Sequence, residues 1–393
     1  MFQSLISRIR AFLTAVALLL LAIAVTEVIL QVQNSELAPP VSTQTDPNLQ
    51  SLLAPSATVH HELRRLHQQQ FHTAMITTNS LGLRGAEPEI PRPPGTLRIL
   101  LLGDETVLNP ELPDEFCISV RLEQFLRKAG SDRIEVINAG VPGYCPLLSW
   151  LQYRHQLRQL QPDVVLLHFD PSDVTDDSYY RRTLTDSGNG QICVHPRLAH
   201  TDSGKSSVIH LLQKSAISRL LQRELNLTGD ESSGMKPSVR YEWTTAVRTD
   251  LRLRIQHAML PVQRFAEAAQ QDGFRLVVST TPTAWQVARS EFFPRLASEI
   301  RLDSAWPVTT DDSFRILDAV CQRSLIPFCN PTAAFREFSQ PEKLFAAESC
   351  QLSAYGAALY ARELARTLLT DPQIAALLNS ASEVSAADEV RIR

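Results

Sequence analysis

The chain has 393 residues, room for one large domain or two modest ones, and its 44% apolar and 20% charged content excludes a disordered protein. A formal charge of −4 with no Lys/Arg block offers no general attraction to a phosphate backbone, which excludes nucleic acid as an expected partner.

Ala11–Val25 is an unbroken apolar or Thr stretch preceded by Arg8 and Arg10, and after Thr26 and Glu27 it resumes as Val28-Ile29-Leu30. About 20 apolar residues span a bilayer core, so residues 11–31 are predicted to be a transmembrane signal anchor with Glu27 at the outer interface. The two arginines keep residues 1–10 cytoplasmic and place the C-terminal bulk outside, with the membrane as a partner. A second reading is a cleaved signal peptide, since Ala22-Ile23-Ala24 suits a cleavage site. The resumed apolar run favours the anchor, and both readings export the globular part.

Residues 32–74 are expected to be a Pro/Ser/Thr-rich tether ending in a short helix, His60–Phe71. The main domain is then 75–370. Leu97–Leu102, an apolar run with one Arg, reads as a strand buried on both faces. Further strands are predicted at Ile134–Asn138, Val164–Phe169, Arg275–Thr281 and Ile326–Cys329. Between and after them, helical spacing marks Val120–Lys128, Leu147–Leu160, Arg252–Gln271, Phe314–Arg323 and Ala354–Leu369. Strand and helix in alternation predict a parallel sheet with right-handed crossovers, an α/β fold in three layers, α/β/α. Residues 177–250, punctuated by Ser, Gly and Asp around a short helix at Ile217–Leu225, read as an insertion or cap, and 371–393 as a flexible tail.

Six cysteines (Cys117, Cys145, Cys193, Cys321, Cys329, Cys350) fit an exported setting where bridges persist. No C-x-x-C spacing is present, which disfavours zinc. Buried thiols with one bridge and a fuller disulfide set both remain open, and the sequence does not set the pairing.

Four segments fall in order along the chain: Arg98–Glu105 (RILLLGDE), Val136–Tyr144 (VINAGVPGY), Asp163–Asp173 (DVVLLHFDPSD) and Glu348–Gly356 (ESCQLSAYG). Together they resemble the block pattern of the SGNH/GDSL hydrolase family. There the first block reads Gly-Asp-Ser, the third ends in Asn-Asp, and the last carries Asp-x-x-His before a Gly. Thr78–Arg84 (TNSLGLR) also resembles the Asn-Ser-x-Gly-x-Arg lead-in of membrane-anchored members. The resemblance implies a flavodoxin-like sheet with the first and third strands adjacent, and no cofactor.

It also implies where the chemistry would sit. Glu105 stands at the nucleophilic serine, Ser172 at the oxyanion asparagine, Ser349 at the aspartate and Gln351 at the histidine. Gly140 is expected to supply an oxyanion-type N–H, with Asp104, Asn138 and Asp173 lining the pocket. A carboxylate attacking an ester would form a less stable anhydride, and its charge would repel the developing oxyanion. A side-chain amide such as Gln351 cannot shuttle a proton. Loss of one triad member already leaves only about 10³–10⁴ over water, so loss of esterase activity is expected. His168 is expected to be a packed strand residue, and Cys117, Cys145 and Cys350 to serve packing or disulfides.

The expected role is binding of an acyl or carbohydrate-related ligand, or of a protein partner, at the cell envelope. The alternatives are an active ester or acyl-glycan hydrolase with a rebuilt carboxylate site, or a structural envelope protein using 177–250 as its contact surface. Clustered carboxylates raise a further expectation, a Ca²⁺ or Mg²⁺ site on Asp104, Glu105, Asp170 and Asp173. Its rival is that Asp104 and Asp173 only hydrogen-bond loop backbone. Ligand identity and oligomeric state are not legible.

Overall fold

The computed structural model describes residues 47–130, 133–170, 173–188, 190–199, 251–288, 292 and 311–380. The anchor expected at 11–31, the helix at Ile217–Leu225 and most of the 177–250 insertion lie outside the described residues. Among those described, no helix is long and apolar enough to cross a membrane.

Ahead of the main sheet the chain makes two antiparallel ribbons. β1 (Leu53–Pro55) pairs with β2 (His61–Leu63), and β3 (Gln68–Phe71) with β4 (Ala74–Thr77). This corrects the helix expected over His60–Phe71. Its Glu, Arg, Leu and Gln residues favour a helix, but that preference is weak beside tertiary docking. Leu63, Phe71 and Ile76 are buried while Leu66 is 77% exposed. Left-handed turns at Leu66 (φ 48°) and His72 (φ 49°) fold the chain back on itself.

The central sheet is built from β5 (Leu97–Gly103), β6 (Ile134–Gly140), β7 (Val164–His168), β10 (Arg275–Ser279) and β11 (Phe328–Cys329). A hairpin, β8 (Leu184–Ser187) with β9 (Gly190–Cys193), lies between β7 and β10 in the chain. The sheet order is β6-β5-β7-β10-β11 with every pairing parallel. Counted along the chain this is 2-1-3-4-5, the doubly wound order expected.

The described helices that flank the sheet include α1 (Glu105–Leu108), α2 (Ile118–Lys128), α3 (Pro146–Gln152), α4 (Asp173–Arg181), α5 (Leu251–Ala258), α6 (Leu260–Asp272), α7 (Asp312–Arg323) and α8 (Ala354–Thr370). Alternation along the strands divides the core into two layers. Leu100, Leu102, Val165 and Leu167 pack with Leu148 and Leu151 of α3, Phe265 of α6 and Leu317 of α7. Ile99, Leu101, Val164 and Leu166 pack on the opposite side with Leu122 of α2 and with Tyr360, Leu364 and Leu368 of α8. That is the expected three-layer arrangement.

The single Arg of β5 is accommodated without solvent. Arg98 is wholly buried, its Nε donating to Glu135 Oε2 (2.7 Å), Nη1 to Leu160 O (2.8 Å) and Nη2 to Glu89 O (2.8 Å). The long helix expected at Arg252–Gln271 is two helices, because Pro261 lacks an N–H and its ring opposes the carbonyl four residues back. The flexible tail expected from 371 is also corrected. Residues 372–380 are helical. Asp371 Oδ1 caps them from Gln373 N and Ile374 N, while Ile374 and Leu378 enter the core.

Candidate functional site

The carboxyl ends of β5, β6 and β7 carry the candidate residues, the edge where open α/β sheets place their sites. Asp104 follows β5 and caps α1, its Oδ1 accepting the Thr106 N–H at 2.9 Å. Glu105 is the first residue of α1 and only 6% exposed. Its Oε2 accepts the Gly143 N–H at 3.0 Å. The amide that meets this carboxylate therefore belongs to Gly143.

Gly140 and Asn138 hold the scaffold, which corrects the expected pocket roles. The Gly140 N–H donates to Asn138 Oδ1 (3.0 Å), and Asn138 Nδ2 donates to Val107 O (2.9 Å). A Cβ at Gly140 would run into the Leu108 backbone N, so glycine is required for α1 to approach β6. The sequence did contain a signal for Gly143: a Pro-Gly pair after a strand, with Gly preferred where φ is positive.

The Thr78–Arg84 lead-in supports the same helix. Arg84 pairs across a bridge with Asn138, and its guanidinium reaches Leu108 O (2.8 Å), Asn109 O (2.5 Å) and Leu112 O (2.6 Å) with Asp114 beside it at 2.8 Å. Leu108 O is one of the carbonyls left over at the C-terminal end of α1; Asn109 O, at the C-cap, also accepts the Leu112 N–H, and Leu112 O lies in the loop that follows.

The expected cation site at Asp104, Glu105, Asp170 and Asp173 is corrected as well. All four are described, and among the described residues no three Asp, Glu, His or Cys side chains are placed to hold a metal ion. Asp173 Oδ2 accepts the Asp170 N–H at 2.9 Å. Burial, then the Asp170 and Glu105 charges and a carboxyl–carboxyl hydrogen bond with Asp170, hold the Asp104 pKa well above the usual carboxylate range. Burial and the Asp170 charge do the same for Asp173. Both shifts favour the protonated carboxyl at these two positions.

That has a measurable consequence. A carboxyl whose folded pKa exceeds its unfolded value near 3.9 keeps its proton where the unfolded chain has lost it. Its stabilising contribution is complete below about pH 4 and is lost as pH rises through the folded pKa. Asp104→Asn keeps an acceptor for Thr106 N–H and removes the titration. Relative to wild type the variant is expected to gain stability between pH 5 and pH 8, at up to about 1.4 kcal/mol per pH unit. Urea melts at both pH values check this; an unchanged difference between the two proteins would refute it.

At the fourth block, Ser349 Oγ donates to Glu111 Oε2 (2.9 Å) and accepts the Gln351 N–H (3.2 Å). The residues expected at the acid and base positions thus close a local turn. Ser172 lies outside the described residues. His168 is fully packed, as expected: its Nδ1 donates to Tyr360 OH (2.8 Å), which donates to Ser279 Oγ (2.7 Å). Burial pushes the His168 pKa down to about 4, so the ring is neutral at physiological pH.

All six cysteines are free thiols in this structure, five of them buried, with neither the one bridge nor the fuller set that the sequence left open. Burial pushes Cys117 and Cys193 up to about 11 and Cys321 and Cys329 up to about 12. These four are protonated thiols, unsuited to nucleophilic attack.

No family model matches the chain, and no curated protein matches it. Solved structures similar to it include a protein assigned to the G-D-S-L lipolytic family from Desulfitobacterium hafniense DCB-2, with 10% identity and a TM-score of 0.38, covering 70% of this chain and 100% of that one. A lipase/acylhydrolase from Enterococcus faecalis is 12% identical with a TM-score of 0.36, covering 69% and 94%. An acetylxylan esterase from Geobacillus stearothermophilus is 13% identical with a TM-score of 0.35, covering 69% and 93%. At these values the similarities say nothing about the site, whose reading rests on its own residues.

Proposed function

We propose that this chain is a membrane-anchored, extracytoplasmic protein of the SGNH/GDSL hydrolase fold that lacks esterase activity and binds an acyl or carbohydrate-related ligand at the cell envelope. The observation that carries the loss of activity is the Glu105 Oε2 to Gly143 N–H hydrogen bond. An N–H at that position is what an ester's oxyanion would need, and a resident carboxylate already takes it. A second negative charge developing beside Glu105 would be raised in energy rather than stabilised.

Three further observations support the reading. Gln351 supplies no proton acceptor that titrates. The buried His168 has its Nδ1 committed to Tyr360. The apolar stretch at Ala11–Val25, continued by Val28-Ile29-Leu30, supports an anchor. The ligand class is carried over from the family resemblance.

The test is hydrolysis of short acyl aryl esters and of an acetylated glycan by the full chain, with wild type and Glu105→Ala assayed together. Neither protein is expected to turn over either substrate above the rate in buffer. Turnover by wild type that vanishes in Glu105→Ala would replace this proposal with a hydrolase built on carboxylate chemistry.

A further inference from the structure

The amide that meets Glu105 sits at the centre of a β-turn. Val141-Pro142-Gly143-Tyr144 closes with Tyr144 N–H donating to Val141 O at 3.1 Å, and Gly143 has φ 73°. Proline at the second position and a positive φ at the third define a type II turn. Pro142 suits type I equally well, since both forms share its φ. The two forms differ by rotation of one peptide plane, Pro142–Gly143. In type II its N–H points one way and its carbonyl the other; in type I they exchange directions.

Both ends of that peptide are held. Its N–H donates to Glu105 Oε2 (3.0 Å), and its carbonyl accepts from His61 Nε2 at 2.8 Å. A carbonyl can only accept, so His61 carries its proton on Nε2. Burial pushes the His61 pKa down to about 4, leaving the neutral ring with an acceptor at Nδ1. That atom lies 2.9 Å from His60 Nδ1, which must therefore donate. The tautomer of one ring sets that of the other.

His61 is well fixed for such a task. It opens β2, its own carbonyl accepts Tyr144 OH at 2.6 Å, and its ring meets that of Tyr144 edge to face with centroids 5.2 Å apart. His60 holds a left-handed φ of 63°, a region uncommon for residues other than glycine though histidine is among those enriched there. The ring pair thus comes from the β1–β2 ribbon, ahead of the main sheet in the chain, and grips the turn after β6.

We propose that His61 is the positioning residue that holds the Val141–Tyr144 turn in its type II form and so keeps the Gly143 N–H aimed at Glu105. Without the Nε2 donor the carbonyl loses its partner, and the type I form becomes accessible with the N–H turned away. The hydrogen bonds at the two ends also reinforce one another through the shared amide. This reading concerns the geometry of the turn and stands whether or not the protein hydrolyses esters.

The test uses the full chain labelled with carbonyl-¹³C proline and ¹⁵N glycine. Only two Pro-Gly pairs occur, Pro94-Gly95 and Pro142-Gly143, so a carbonyl-filtered amide spectrum holds two signals, and Gly95 serves as the internal reference. In His61→Leu the Gly143 amide proton is expected to move upfield and its exchange with solvent to quicken about tenfold, the loss of one ordinary hydrogen bond. His61→Gln, whose amide can reach Pro142 O, is expected to restore both readouts. Tyr144→Phe removes the other link to His61 and is expected to leave the Gly143 signal in place.

A wild-type Gly143 signal in His61→Leu would overturn the proposal. So would equal disturbance in Tyr144→Phe and His61→Gln, which would mark general loosening. Should His61→Leu fail to fold, His61→Asn keeps polarity but not reach, and a wild-type signal there would overturn it equally.

Discussion

His168→Asn is expected to be less stable than wild type at pH 7.5 and to draw level with it or pass it at pH 4.5. The Asn amide can occupy the place of Nδ1 and donate to Tyr360 OH, so at neutral pH the variant mainly loses ring packing, at about 1–2 kcal/mol. The reversal comes from proton linkage. His168 is buried, and burial lowers its pKa to about 4, whereas in the unfolded chain it titrates near 6.5. Below about pH 6.5 the unfolded state takes up a proton that the folded state refuses. The contribution is complete above that pH and is lost as pH falls toward 4, to a total of about 3 kcal/mol.

Asn does not titrate, so the gap between the two proteins is expected to move by about 2–3 kcal/mol in favour of the variant between pH 7.5 and 4.5. The comparison must be pairwise. His60, down to about 2, and His61 act in the same direction as His168, while Asp104 and Asp173 act in the opposite one. The wild-type curve alone sums them all. Urea denaturation of both proteins across this range decides the matter, and a gap independent of pH would show that His168 is charged or solvated in the folded state.

The second large effect is expected at Arg84. Its side chain is 2% exposed and serves three carbonyls and Asp114 with one guanidinium. Arg84→Ala would leave Leu108 O, Asn109 O and Leu112 O without that donor. Asn109 O keeps the Leu112 N–H and Asp114 is half-exposed, so the cost falls on Leu108 O and Leu112 O, at about 1–3 kcal/mol each before relaxation. A loss of about 2–6 kcal/mol is therefore expected in urea, a large share of a normal domain's 5–15 kcal/mol. Arg84→Lys should recover less than half of it, because one ammonium cannot reproduce the planar fork. Full stability in Arg84→Lys would mean that charge, not the geometry of the fork, supports α1.

The sheet and its flanking helices were legible because burial on both faces leaves a local signature. Leu97–Gly103 and Val164–His168 are continuous apolar runs, and α2, α7 and α8 carry apolar residues at helical spacing. The 2-1-3-4-5 order followed from the family resemblance. The break between α5 and α6 had a local cause, Pro261, that the apolar periodicity outweighed when the segment was read as one helix. His60–Phe71 failed for the reverse reason, since strong helix formers pair as strands once Leu63 and Phe71 dock on the core.

The sequence alone determined which residues stand at the ends of β5, β6 and β7, and its resemblance to the SGNH/GDSL pattern is what implies the roles of positions 105 and 351. Both are matters of residue type and order. Only the tertiary structure decided that Gly143 rather than Gly140 meets Glu105, that burial beside Asp170 raises the Asp104 pKa, and that His61 reaches Pro142. Those outcomes depend on the direction of single amides and on burial by segments far apart in the chain. His61 and Pro142 are separated by 81 positions, and no local pattern carries a contact of that range.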